Sequence, residues 1–359
     1  MIKVSESFCP PIDNYINHIT GAWQNAHFSN FGPLHQKFEE SITSFLGVRD
    51  GIAVSNGTVA LELALKTLPK KGDVIVTSFS WIATHSAIVN SGNNAVYCDI
   101  EEDTLSIDPS KIENLITQET VAIVGVHVFG NPVDVIKLEE IGKKHNIKII
   151  YDAAHAFGSK VNNLSVFSFG DISATSFHAT KILNCAEGGM CFANSDSESE
   201  LIKKMRFYGF DENRIPRIDG GNYKMSELSA SMGLSSLAFA EEIISHRKKI
   251  ATIYEDNLKS LGFLRFQLCK IGESNRSYFP IILENEKILL SMQKHLHSNE
   301  IETRRYFYPS LSNIELVNAK KNTPISDSIS KKILCIPSHF SLDDAQLNYI
   351  CDVIVKFKP

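Results

Sequence analysis

The sequence predicts an α/β fold: a mostly parallel seven-stranded sheet flanked by helices, followed by a smaller C-terminal α+β domain. Three observations carry that prediction. Seven short β-branched runs alternate with helical patterns between residues 51 and 193. The runs are apolar without alternation, as strands buried on both faces are. From about residue 240 the composition turns toward charge, and 359 residues exceed the roughly 250–300 that one core usually serves. The expected division is an N-terminal arm and large domain over residues 1–240 and a small domain over 241–359.

The first thirty or so residues, rich in Asn, His and aromatic side chains, predict an arm or helix packed on the rest. The seven strands are expected at Ile52–Val54, Asp73–Thr77, Ala95–Tyr97, Val121–Val128, Ile147–Tyr151, Ser173–Phe177 and Gly189–Ala193. Between them, Val59 to Leu68 places apolar residues at 59, 61, 63, 64, 65 and 68, the pattern of a buried helix. Pro132 to His145 opens with a helix-compatible Pro and carries Val135, Ile136, Leu138 and Ile141. The small domain is expected to begin with a long helix, Glu241 to Leu261, and to hold strands at Tyr278–Leu283 and Ile333–Ile336.

Composition narrows the function. With 43% hydrophobic and 21% charged residues the chain is an ordinary globular one, neither collagen-like nor disordered. A net charge of −5 argues against nucleic acid as a partner. The opening Met1 to Pro11 has no apolar signal region, and no apolar run reaches the roughly 18–20 residues of a membrane span. The seven Cys show no CxxC pair, so reduced thiols in a cytoplasmic protein are expected, with no role for any of them. GxGxxG, GxxxxGK[ST], HExxH and GxSxG are all absent, and no metal site is expected.

Polar residues at the C-terminal ends of the expected strands remain, where open parallel sheets bind their ligands. Ser55-Asn56-Gly57-Thr58 leads into a helix whose free N–H groups suit a phosphate; read alone, it is an ordinary N-cap turn. Asp152, ending the run Ile149-Ile150-Tyr151, aims a carboxylate off a buried strand, either toward a cation such as the pyridinium nitrogen of pyridoxal phosphate or as a cap for the next turn. Lys181 follows Ser173 to Phe177 among small and apolar residues, where lost solvation lowers a lysine pKa as Schiff-base formation requires; a lone lysine there is otherwise solvated surface. Ser176 offers a hydroxyl to the same phosphate. In Ser80-Trp81-Ile82-Ala83-Thr84 the Trp81 ring suits a planar cofactor, although a single aromatic at such a place more often belongs to a core.

These segments, Ser-Asn-Gly-Thr before an apolar helix, Asp-Ala-Ala-His-Ala-Phe-Gly (152–158), Ser-Phe-His-Ala-Thr-Lys (176–181) with Glu187-Gly188-Gly189, and Lys-Met-Ser-Glu (224–227), resemble the nucleotide-sugar aminotransferases of the DegT/DnrJ/EryC1/StrS family. The similarity runs from Phe31-Gly32-Pro33 to Ile336-Pro337. It implies the large fold of aspartate aminotransferase, pyridoxal 5′-phosphate as cofactor and a homodimer with shared sites. In that frame Lys181 joins the cofactor covalently and shuttles a proton, Asp152 holds the pyridinium nitrogen, and His155 lies near the phenolic oxygen. Gly57, Thr58 and Ser176 bind the phosphate, Trp81 stacks on the ring, and Asn222 and Lys224 reach the neighbouring subunit's phosphate. Tyr151 stands where relatives usually carry Glu, on the strand face opposite Asp152.

The resemblance further implies transfer from glutamate to carbon 4 of a nucleotide-linked 4-keto-6-deoxy sugar, with a dTDP hexose bound for surface polysaccharide as the expected substrate. Lys181, in place of the His of the related dehydratases, favours transamination. Phe177-His178 with Glu187-Gly188-Gly189 resembles the carbon-4 enzymes; a hydrogen-bonded core histidine is the plain alternative for His178. Amination at carbon 3 and a non-catalytic pyridoxal-phosphate-binding regulator are the competing readings. Arg304, with Arg305, Lys331 and Lys332, is a candidate for the diphosphate, although basic pairs at a surface commonly stay hydrated.

Overall fold

The computed structural model describes residues 1–315, 317 and 322–359. All seven expected strands form one sheet: β1 Gly51–Val54, β2 Asp73–Thr77, β3 Asn94–Cys98, β4 Thr120–Val126, β5 Lys148–Asp152, β8 Ile172–Ser176 and β9 Gly189–Ala193. Their order is β1-β9-β8-β5-β4-β2-β3, and only β9 runs against its neighbours. Successive side chains go to opposite faces, so Val74 and Val76 join one buried cluster while Ile75 joins the other, and both faces are apolar. Two short strands, β6 Lys160–Val161 and β7 Leu164–Ser165, form a separate hairpin.

The β4 strand ends two residues before its expected limit. Phe129 takes a left-handed φ of 58° within the single turn Val128–Gly130, which breaks the extended path. Helices cover the sheet: α3 Gly57–Lys66, α4 Ile82–Asn90, the short α5 Pro109–Ile112, α6 Val135–His145 and α7 Asp196–Met205. The arm is two helices, α1 Ile12–Gln24 and α2 Pro33–Leu46, and both pack against α8 Glu227–Leu237.

The smaller unit has its own antiparallel sheet, β10 Leu264–Phe266, β11 Phe279–Leu283 and β12 Ile333–Ile336, in that order. The helices α10 Glu286–Ser298 and α12 Asp344–Val355 bury Leu289, Met292, Leu347 and Ile350 against it, while α11 Pro324–Ser330 packs at the junction with the large sheet. The long expected helix is α9, Ala240–Leu258. Its start, Ala240 and Ile243, belongs to the core beside the large sheet, and its later turns, Ile250, Tyr254 and Leu258, belong to the core of the small one. One continuous helix therefore ties the two sheets together. No helix among the described residues is long and apolar enough to cross a membrane.

Glu227, from the Lys-Met-Ser-Glu segment, explains how the arm is fixed. The cap of α2 is Gly32, which has no side chain to satisfy the first N–H groups. The fully buried Glu227 carboxylate accepts both Leu34 N–H and His35 N–H at 2.9 Å instead. A Cβ on Gly32 would come 2.6 Å from Glu227 Cδ, so the glycine is what lets the carboxylate in. Glu227→Ala is expected to lower the unfolding free energy by about 2 kcal/mol through two uncapped N–H groups. The check is the urea midpoint at unchanged slope; a wild-type midpoint rules out the capping role.

Candidate active site

The parallel strands end on one side of the sheet, and the residues that follow them form a cleft. At the end of β1 the turn folds tightly over its neighbours. A Cβ on Gly189 would fall 2.4 Å from Asn56 O and 2.7 Å from Gly57 N, and one on Gly57 would fall 2.6 Å from Ser176 Cβ. Val54 and Ser176 are the register partners of Gly189 on its two sides, so three strand ends converge there. The Asn56 side chain accepts Val59 N–H at 3.0 Å and caps α3. Among the described residues the N–H groups of Gly57 and Thr58, ahead of any intrahelical acceptor, have no partner, and they lie beside the Ser176 hydroxyl. The turn is a cap, and it also leaves N–H groups at the positive end of α3.

Asp152, the last residue of β5, is half-buried. Its Oδ2 accepts the Thr84 hydroxyl at 2.6 Å and its Oδ1 accepts Ala154 N–H at 3.2 Å, so it also caps the turn after the strand. Burial raises its pKa against the pull of these two donors and of the Lys181 charge. Lys181 lies in the bend after β8, the strand that pairs with β5. Burial pushes its ammonium down to about 8; Arg247 adds to that, while Asp152 and the Tyr306 phenol oppose it. Among the described residues neither Asp152 nor Lys181 makes an ion pair. The Lys181 Nζ stands 5.7 Å from the centre of the Tyr278 ring.

His155 lies next to that ring, centroids 4.8 Å apart, and nearly parallel to Phe129 and Phe307. Burial, then Lys181, holds its pKa well below the usual value, so it is a neutral imidazole. Trp81 is 56% exposed, at the cap of α4 and edge-on to Tyr306. It is not a core residue, and its face is available.

The remaining candidates sit farther out. His178 is exposed, bonded to the Thr180 hydroxyl at 3.0 Å and 3.8 Å from Glu187. Arg304 is exposed too, and donates to the Tyr306 phenol at 3.1 Å, which brings it to the cleft. Arg305 turns away to Glu286 and the face of Tyr308. Lys224 forms a backbone bridge with Val54 at the sheet edge, while its Nζ takes Asn222 Oδ1 at 2.5 Å and lies over Phe207. Neither Asn222 nor Lys224 hydrogen-bonds the Gly57 turn of its own chain among the described residues.

Four site residues escaped the sequence reading. Tyr278, Tyr306 and Phe307 arrive from the far part of the chain, and no local pattern marks them. Arg247 sits in the basic run His246 to Lys249, which reads as a solvated helix face. It is buried instead and donates to the carbonyls of Ser277 and Ser338, at 2.7 and 2.5 Å.

The sheet is doubly flanked and mostly parallel, and a strand-end carboxylate and a desolvated lysine lie near each other at its C-terminal side. The chain belongs to the DegT/DnrJ/EryC1/StrS aminotransferase family, whose model matches residues 12–355. It is similar to a dTDP-4-amino-4,6-dideoxy-D-glucose transaminase of Shigella dysenteriae, 38% identical over 99% of each chain. A protein of the same description from Escherichia coli is 35% identical over 96% of this chain and 95% of its own. The crystal structure of DesI in the presence of its TDP-sugar product superposes with a TM-score of 0.93 at 29% identity, covering 98% of this chain and 92% of that one.

The lowered lysine makes a prediction about stability. Between about pH 8 and the ordinary lysine value of 10.5, the unfolded chain binds more protons than the folded one. Stability from this group is therefore complete above 10.5 and lost as pH falls through about 8. Lys181→Met should flatten the rise in unfolding free energy across that window, measured by urea unfolding of both proteins. Equal slopes would show that Lys181 titrates as an ordinary lysine.

Proposed function

We propose that this aminotransferase uses pyridoxal 5′-phosphate to move an amino group from glutamate onto carbon 4 of a nucleotide-linked 4-keto-6-deoxy sugar, with a dTDP hexose as substrate. The observation that carries the reading is the pair Asp152 and Lys181, opposite charges in one cleft without ion-pair partners among the described residues, beside the free N–H groups of α3. That donor set fits a cofactor with a phosphate, a ring nitrogen and an aldehyde. When bound, pyridoxal phosphate supplies the carbonyl that exchanges the amino group and a ring that takes up electron density.

The chain's own residues do the rest. Gly57 and Thr58 N–H groups, with the Ser176 hydroxyl, hold the phosphate at the positive end of α3. The Asp152 carboxylate keeps the ring nitrogen protonated, and His155, neutral, presents a ring nitrogen without adding charge. Trp81 offers a flat face. Lys181, with its pKa of about 8, is partly unprotonated near neutral pH, so its Nζ takes a proton from the reacting carbon and returns it. His178 and Arg304, both exposed, are our candidates for the sugar nucleotide. The names of the Shigella and Escherichia coli relatives support carbon 4 over carbon 3. The same reading divides the chain at residues 240 and 241, supported by the separate sheet of β10 to β12.

The test is a product assay over keto-sugar nucleotides with glutamate, the aminated carbon read by NMR. The amine is expected at carbon 4, and Lys181→Ala is expected to abolish turnover while remaining folded. An amine at carbon 3 would overturn the regiochemistry, and a turning-over Lys181→Ala the whole mechanism.

We further infer a homodimer with shared sites. Ile12, Ile16 and Trp23 on α1 and Leu228 on α8 are exposed apolar residues on two helices that pack together, which suits a covering surface. Asn222 is exposed and Lys224 half-buried at the sheet edge, and among the described residues Lys224 makes no ion pair. Mixing Lys181→Ala with Lys224→Ala under subunit exchange should restore activity that neither variant has, since one site of the heterodimer is then intact. No recovery despite proven exchange means each site comes from one chain.

A further inference from the structure

In the segment Ser80-Trp81-Ile82-Ala83-Thr84 the tryptophan is exposed, but the two hydroxyls are buried, at 3% and 0% exposure, and lead to the Asp152 carboxylate. Thr84 Oγ1 donates to Asp152 Oδ2 at 2.6 Å, and Ser80 Oγ lies 2.7 Å from Thr84 Oγ1. A threonine has one hydroxyl proton. With that proton committed to an ionised carboxylate, Ser80 must be the donor to Thr84, so the chain runs one way, from Ser80 through Thr84 to Asp152. Each bond polarises the next, and the last is charge-assisted.

We propose that Ser80 and Thr84 are positioning residues that hold the Asp152 carboxylate charged and aimed at the cofactor's ring nitrogen; the inference rests on the pyridoxal-phosphate reading above. Packing does not call for these hydroxyls. Valine matches threonine in shape, and a helical threonine ordinarily returns its hydroxyl to a carbonyl one turn back. Here the Trp81 carbonyl is taken by the Thr84 backbone N–H at 3.1 Å, and the hydroxyl turns out of the helix to β5. Trp81 is the cap of the same helix whose first turn carries Thr84. Without Thr84, Oδ2 loses its donor and Asp152 keeps one long bond, from Ala154 N–H.

The experiment measures dissociation constants of the apoprotein for pyridoxal phosphate and for an analogue whose ring nitrogen is replaced by CH, with borohydride reduction to confirm the link to Lys181. Thr84→Val should weaken pyridoxal phosphate about tenfold and the analogue less than about twofold, because only the former uses Asp152. Thr84→Ser should return to within about threefold of wild type, and Ser80→Ala should lose about threefold for pyridoxal phosphate alone. Equal losses for both probes would reduce the hydroxyls to packing and overturn the proposal. If Thr84→Val does not fold, Ser80→Ala decides by the same contrast. A wild-type protein that links to Lys181 but does not distinguish the probes overturns the relay and spares the cofactor reading; one that forms no link at Lys181 overturns both.

Discussion

The cleft is organised around two opposite charges that the fold brings near each other without letting them pair. Asp152 ends β5 and Lys181 follows β8, and these strands are parallel neighbours, so the chain leaves the sheet twice on the same side. Burial lifts the carboxyl and depresses the ammonium, and each shift is only partly offset by the other charge. A close ion pair would have quenched both groups. Kept apart, each has an unmet electrostatic demand, which is the condition for binding a charged, planar, electrophilic cofactor.

The approach of α3 to the ends of β8 and β9 depends on backbone contacts more than on side chains. The end of α3 reaches Ser176 only because residues 57 and 189 are glycines, and the Glu-Gly-Gly segment therefore has a steric reason as well as a family one. The same economy holds for the arm, where Gly32 admits the Glu227 carboxylate to the head of α2. Positions that read as motif in this chain are in several cases places where a backbone must come closer than any Cβ permits.

The strand order of residue types made the large domain legible: seven apolar runs became seven strands, because burial on both faces leaves no polar alternation to confuse them. The candidate groups at the strand ends could be picked out too, since Asp152 and Ser176 end their strands and Gly57 and Lys181 follow theirs within a few residues. What the sequence hid came from distance. Tyr278, just before β11, and Tyr306 and Phe307, in the turn after α10, come from the far part of the chain, and Arg247 is buried in a helix whose basic run suggests solvent. Strand β10 was missed because three residues with a central Arg265 carry no strand signal. The Ser80 to Thr84 hydroxyls were in plain view, but only the third dimension shows where a hydroxyl points.

Tyr151 shows how the sheet separates structure from chemistry. It departs from the Glu expected by resemblance, directly before the residue that matters most, yet its ring goes to the other face and is fully buried. There it stacks on His127 with centroids 5.0 Å apart, and added Cβ atoms on Gly125 and Gly170 would meet the ring at 2.8 and 2.7 Å. His127 is driven down to about 3 by burial, so the stack is uncharged and tolerates the apolar layer. A glutamate there would be a buried charge needing a partner; the tyrosine instead fills the space two glycines leave open. Its packing fills the sheet face opposite Asp152, so the residue before the carboxylate serves the core and leaves the other face to Asp152.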